Sequence, residues 1–216
     1  MYGYSTLAID RLGIGLSSHG EPKNEIQSFL EVQALAAVTM HVRNGTLPTV
    51  NKKFNKVVHV GHSFGSAQSY ALTALYPTIS DGIILTGFST NGSSVNLFSS
   101  GNDFQQANLN QPLRFGSAQN SAVVNAFVEA YALTDIIAPI DVTTVQPLNY
   151  PNGYLANSNV NALVYLFLLP GYFDTAIAYY GESGKQPVTI GELLTLGSVP
   201  ATSAFAGPVL VITGCK

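Results

Sequence analysis

One pentapeptide in this chain has the residue types and spacing for covalent chemistry: Gly61-His62-Ser63-Phe64-Gly65. Glycine carries no Cβ, so Gly61 and Gly65 flanking Ser63 let the backbone turn sharply and bring the strand before and the helix after close together. A serine held there is a candidate acyl-transfer nucleophile. The amide of Phe64, at a helix N-terminus, would point to where an oxyanion develops. Gly61, His62 and Gly65 are the frame of that turn. The pattern alone is weak, since an ordinary Gly/Ser turn looks the same, so its neighbours must decide.

The neighbours supply a strand before and a helix after. Val57, Val58 and Val60 are β-branched and read as a short strand covered on both faces. The helix is predicted from Phe64 to Leu75, stopped at Tyr76-Pro77. Upstream, Ser5 to Ile9 reads as a strand running into the glycine-rich loop Asp10 to Ser18. That loop lacks both Gly-x-Gly-x-x-Gly and a Gly-Lys-Ser/Thr ending, which argues against nucleotide binding. Asn24 then caps a predicted helix, Glu25 to Arg43, with Ile26, Phe29, Leu30, Leu35, Val38 and Val42 at helical spacing. Asn44-Gly45 is its stop. Downstream, Asp81 to Gly87 and Gly207 to Gly214 read as two further buried strands. Alternation of strands and helices predicts an α/β protein with a parallel sheet. Between those last strands, Phe88 to Phe205 shows no strand pattern. Helices are expected there at 121–133, 159–169, 173–180 and 190–196, forming a cap over the sheet.

The chain has 216 residues, a net charge of −3 and only 10 % charged residues. No basic patch stands out, so nucleic acid is not an expected partner. Low charge and the sequons Asn44-Gly45-Thr46 and Asn91-Gly92-Ser93 point to a secreted glycoprotein whose leader lies outside these residues. The longest apolar run, Ala162 to Leu169, is too short to span a bilayer. Cys215, the single cysteine, can form no internal disulfide. Neither metal-ligand spacing nor a paired-carboxylate arrangement is found among Asp135, Asp141, Asp174 and Glu182.

Together, Ala8 to Ser17, Val58 to Ser66, Asp81 to Gly87 and Pro208 to Gly214 resemble strands 4 to 7 of the α/β-hydrolase superfamily, in order and spacing. The low charge and sequons are similar to secreted fungal, lid-containing lipases and esterases. The resemblance implies a partial α/β-hydrolase fold, with residues 1–88 and 206–216 as core and 89–205 as helical lid. It implies a serine hydrolase acting on a small apolar ester or related acyl substrate. Ser63 would be the nucleophile and Phe64 an oxyanion donor, with no metal or organic cofactor. Family order places the acid and histidine beyond Lys216 and the second oxyanion amide before the first strand. Thr86 to Gly92 holds no carboxylate that could substitute. Of the four histidines, His62 is the variable elbow position, His59 a hydrogen-bonded core residue, His41 a helix-end residue and His19 a weak base candidate. Asp10 is expected to bond amides of its own loop rather than to catalyse. The lid aromatics (Phe104, Phe115, Phe127, Tyr131, Tyr165, Phe167, Tyr172, Phe173, Tyr179, Tyr180) are either an acyl pocket or the cap's own core. The chain is thus expected to be a partial copy of a longer hydrolase, unstable and inactive alone. An inactive fragment or a non-catalytic relative, whose lid binds an apolar ligand or partner, is the first alternative. A cofactor-free haloperoxidase or C–C hydrolase is the second.

Overall fold

The computed structural model describes residues 3–48, 50–117 and 149–214. They form two compact units, Met1–Glu25 with Ser93–Ile190, and Ile26–Gly92 with Gly191–Lys216.

The unit that carries the serine follows the predicted alternation. Its elements are α1 (Ser28–Asn44), β1 (Val58–His62), α2 (Phe64–Leu75) and β2 (Gly82–Thr86), with β6 (Val209–Ile212) returning from the far end of the chain. The strands pair in the order β1-β2-β6, all parallel, with Val60 opposite Ile84 and Ile84 opposite Leu210. Parallel neighbours need crossovers, and α2 is the one between β1 and β2. Val32 and Ala36 of α1 pack on Ala71 and Leu72 of α2, flanked by Leu35, Ile79 and Val199. The α1 stop is as the sequence predicts: Gly45 is left-handed at φ 71° and its N–H bonds back to His41 and Val42. Its start is later than predicted. The Glu21 carboxylate accepts from the amides of Lys23 and Asn24, and the Glu25 carboxylate accepts from the Glu21 amide. That side-chain-closed turn competes with helix, so α1 begins at Ser28.

Two strand expectations are corrected. β1 is covered on one face, not both: His59 and Gly61 are buried, whereas Val58 and Val60 are 51 % and 67 % exposed. In a strand alternate side chains face opposite ways, and among the described residues nothing covers the valine side. Residues 5–9 form no strand at all. A strand exists by pairing, the outer edge of β1 has no partner among the described residues, and Leu7 and Ile9 are exposed.

The other unit contains α3 (Val95–Asn102), β3 (Gln105–Gln106), α4 (Ala107–Asn110), α5 (Pro112–Phe115), β4 (Tyr154–Ala156), α6 (Val160–Phe167), α7 (Thr175–Gly184) and β5 (Val188–Thr189). After β5, α8 (Ile190–Thr195) leads back to the sheet-bearing unit. β3, β4 and β5 form a small antiparallel sheet, contrary to the expectation of no strands. Its ladders are two residues long, too short to leave an alternating pattern in sequence. Asn159 caps α6 through the amides of Asn161 and Ala162, and Asp174 caps α7 through Ala176. The helix expected at 121–133 lies outside the described residues. Phe115, Tyr150 and Tyr154 make the core with Ala107 and Ala156. Of the expected lid aromatics among the described residues, only Phe115 joins it. Tyr165, Phe167, Tyr172, Tyr179 and Tyr180 are exposed, and Phe127 and Tyr131 lie outside the described residues.

Candidate active site

Ser63 stands between the last residue of β1 and the first of α2, at φ 51° and ψ −115°. A non-glycine residue there costs on the order of 1–3 kcal/mol and persists only when its surroundings impose it. Serine at a helix N-cap ordinarily spends its hydroxyl on a first-turn amide. Here the side chain makes no capping bond. The main-chain oxygen of Ser63 accepts instead, from Ser66 at 3.0 Å and Ala67 at 3.2 Å. The hydroxyl is left exposed at the positive end of α2, beside the Phe64 amide that opens the helix.

The two flanking glycines are not equivalent. A Cβ on Gly61 would lie 2.3 Å from the Gly65 carbonyl oxygen and 2.5 Å from the Ser66 nitrogen, so only glycine lets α2 start this close to β1. A Cβ on Gly65 would meet nothing within 4 Å. The expectation that both glycines serve the close approach of strand and helix therefore holds for Gly61 and not for Gly65.

The turn is tied to the end of β2. Thr86 lies opposite His62 in the parallel ladder. Its carbonyl accepts from the Ser63 amide and from the Ser66 hydroxyl, both at 2.9 Å. Its hydroxyl donates to the Gly61 carbonyl at 3.0 Å and meets Nδ1 of His62 at 2.9 Å. Sequence reasoning missed this residue; its one signal was its place as the last buried-strand residue before Gly87.

Every histidine of the chain is engaged with a group other than the Ser63 hydroxyl. His59 sits between Thr39 Oγ1 at 2.9 Å from Nε2 and Ser80 Oγ at 2.8 Å from Nδ1, the core residue the sequence predicts. Burial, reinforced by the Arg43 charge, pushes its pKa down to about 4. His41, near the end of α1, meets Thr46 Oγ1 at 2.8 Å. His19 Nε2 lies 2.8 Å from the Tyr150 hydroxyl. Burial lowers its pKa, against the opposing effect of its bond to the Gly15 backbone. Burial and the nearby Tyr154 raise the Tyr150 pKa, so that hydroxyl keeps its proton. Asp10 behaves as its loop predicts: its carboxylate accepts the Leu16 amide at 3.0 Å, and its carbonyl the Ser17 hydroxyl at 2.7 Å.

Among the described residues no cluster of three or more His, Cys, Asp or Glu could hold a metal ion. No helix among them is long and apolar enough to cross a membrane. A cavity of about 260 Å³ lies on the helix-covered side of the sheet, lined by Ile83, Leu85, Val209 and Val211 with Tyr70 and Phe205.

No family model matches this chain. No curated protein matches it either. Among solved structures, E-2-(acetamidomethylene)succinate hydrolase aligns at 18 % identity and a TM-score of 0.36, covering 95 % of this chain and 72 % of that one.

Proposed function

We propose that this chain carries the nucleophile of an α/β-hydrolase-type serine hydrolase, with Ser63 attacking the carbonyl of a carboxylic ester or related acyl substrate. One observation carries the proposal: Ser63 holds a positive φ between a parallel strand and a helix, with its hydroxyl withdrawn from helix capping and exposed. A structural turn gains nothing from that geometry, because glycine would adopt it without strain. In the proposed reaction the Ser63 oxygen bonds to the acyl carbon. The Phe64 amide stabilises the charge that develops on the carbonyl oxygen, and the alcohol leaves with the proton taken from Ser63. Water then cleaves the acyl-serine bond to release the acid and restore the hydroxyl.

A general base must take the serine proton, and none of the four histidines bonds the Ser63 hydroxyl among the described residues. That observation favours a second reading, a non-catalytic relative whose apolar cavity binds a ligand. Ester hydrolysis separates the two. The full-length protein is expected to hydrolyse p-nitrophenyl acyl esters, with Ser63→Ala reducing turnover to background. Undetectable turnover across acyl lengths, or turnover unchanged in Ser63→Ala, would reject the nucleophile reading and leave the ligand-binding one.

A further inference from the structure

Ser63 keeps its strained backbone only while something outside its own helix holds it. The described bonds that do so converge on one residue, Thr86. Two come to its main-chain oxygen, from the Ser63 N–H and from the Ser66 hydroxyl. Any residue at that register position would accept those. The other two need a threonine or serine side chain: Thr86 Oγ1 to the Gly61 carbonyl at 3.0 Å, and Thr86 Oγ1 with His62 Nδ1 at 2.9 Å. Between them the four bonds touch Gly61, His62, Ser63 and Ser66, the whole turn from strand to helix.

The hydroxyl also fixes the state of His62. A threonine hydroxyl has one proton and two lone pairs. With that proton donated to the Gly61 carbonyl, the oxygen can only accept from the ring, so Nδ1 must carry hydrogen. Nε2 is then the acceptor nitrogen of a solvent-exposed ring directly before Ser63. Gly87 allows this arrangement, since a Cβ there would come within 3.2 Å of His62 Cε1. Glycine is also the residue suited to its φ of 57°.

We infer that Thr86 is a positioning residue of this site, its hydroxyl holding the Ser63 turn and locking His62 in the Nδ1–H tautomer. The catalytic consequence rests on the hydrolase reading given above; the tautomer does not. Thr86→Val keeps the shape of the side chain and removes its donor and acceptor, and Thr86→Ser keeps both.

Nitrogen NMR of the full-length protein above pH 8, with His62 assigned through His62→Gln, reads the tautomer. The expected result is Nδ1–H in the wild type and in Thr86→Ser, with a shift toward Nε2–H in Thr86→Val. In ester hydrolysis Thr86→Val is expected to lower kcat about tenfold with KM little changed, because it misplaces the nucleophile rather than the substrate. Thr86→Ser is expected to recover most of that loss. A wild-type His62 in the Nε2–H form overturns the inference even if Thr86→Val does not fold. An unchanged tautomer and kcat in a folded Thr86→Val overturn it as well. If the wild type hydrolyses no ester, the hydrolase reading fails, and the tautomer measurement still decides the role of Thr86.

Discussion

Ser63 occupies a backbone conformation that is unfavourable for serine and open to glycine, while forgoing the capping bond its side chain would make elsewhere. The strain is therefore measurable. Ser63→Gly is expected to be more stable to denaturant than Ser63→Ala by about 1–2 kcal/mol, the reverse of the usual order at ordinary helical positions. Equal stabilities would show that the turn is not strained. The flanking glycines make a second test. Gly61→Ala drives a methyl against the backbone of Gly65 and Ser66, and a loss of more than about 2 kcal/mol is expected. Gly65→Ala meets open space within the first turn of α2 and is expected to be neutral or stabilising by up to about 1 kcal/mol. Thermal or urea unfolding of the two variants distinguishes these outcomes. The glycine-serine-glycine spacing was legible in the sequence. The inequality of the two glycines was not, because it depends on which backbone atoms of α2 face each one.

β1 shows how an element can be read correctly in kind and wrongly in setting. Val57, Val58 and Val60 announce a strand, but His59 between them is the buried side chain and the valines on either side are exposed. Histidine in an apolar row was legible as a hydrogen-bonded core residue, and its partners come from α1 and from the loop before β2. Thr39 also donates to the Leu35 carbonyl, and Ser80 to the Gly82 carbonyl. A neutral ring has one donor nitrogen and one acceptor, so one hydroxyl must turn its proton to the ring and release its carbonyl. The Arg43 charge adds to the effect of burial on this ring. The folded pKa of about 4 lies below the ordinary 6.5, so between those values the unfolded chain binds more protons than the folded one. Stability is therefore expected to fall as pH drops from about 6.5 to 4, by roughly 3 kcal/mol from this residue. His59→Gln should flatten that part of the profile. A profile already flat in the wild type would contradict the burial of a neutral ring. Asp81 acts at lower pH. The Val57 amide and then the Arg43 guanidinium, which bonds Asp81 at 2.5 Å, hold its carboxyl below the usual range. Its contribution is present above the ordinary carboxylate pKa and is lost on further acidification.

At the scale of the molecule, the parallel sheet was legible because each of its strands is a compact apolar run separated by a helix or a long connection, whereas the order β1-β2-β6 comes from the structure. The second sheet was not. β3 and β4 are almost fifty residues apart in sequence and share a two-residue ladder, so their pairing is set by tertiary packing rather than by local pattern. Residues 5–9 failed as a strand for the complementary reason: their composition favours β structure, but they pair with no strand among the described residues. Whole-molecule features leave one question above the rest, whether the exposed Ser63 hydroxyl is an activated nucleophile. Fluorophosphonate labelling of the full-length protein, followed by peptide mapping, addresses it most directly, since the reagent bonds only to a serine whose proton can be taken. A single adduct on the peptide containing Ser63, abolished in Ser63→Ala, is the expected result. An unlabelled Ser63 in folded protein, or an adduct on another serine that persists in Ser63→Ala, would contradict it.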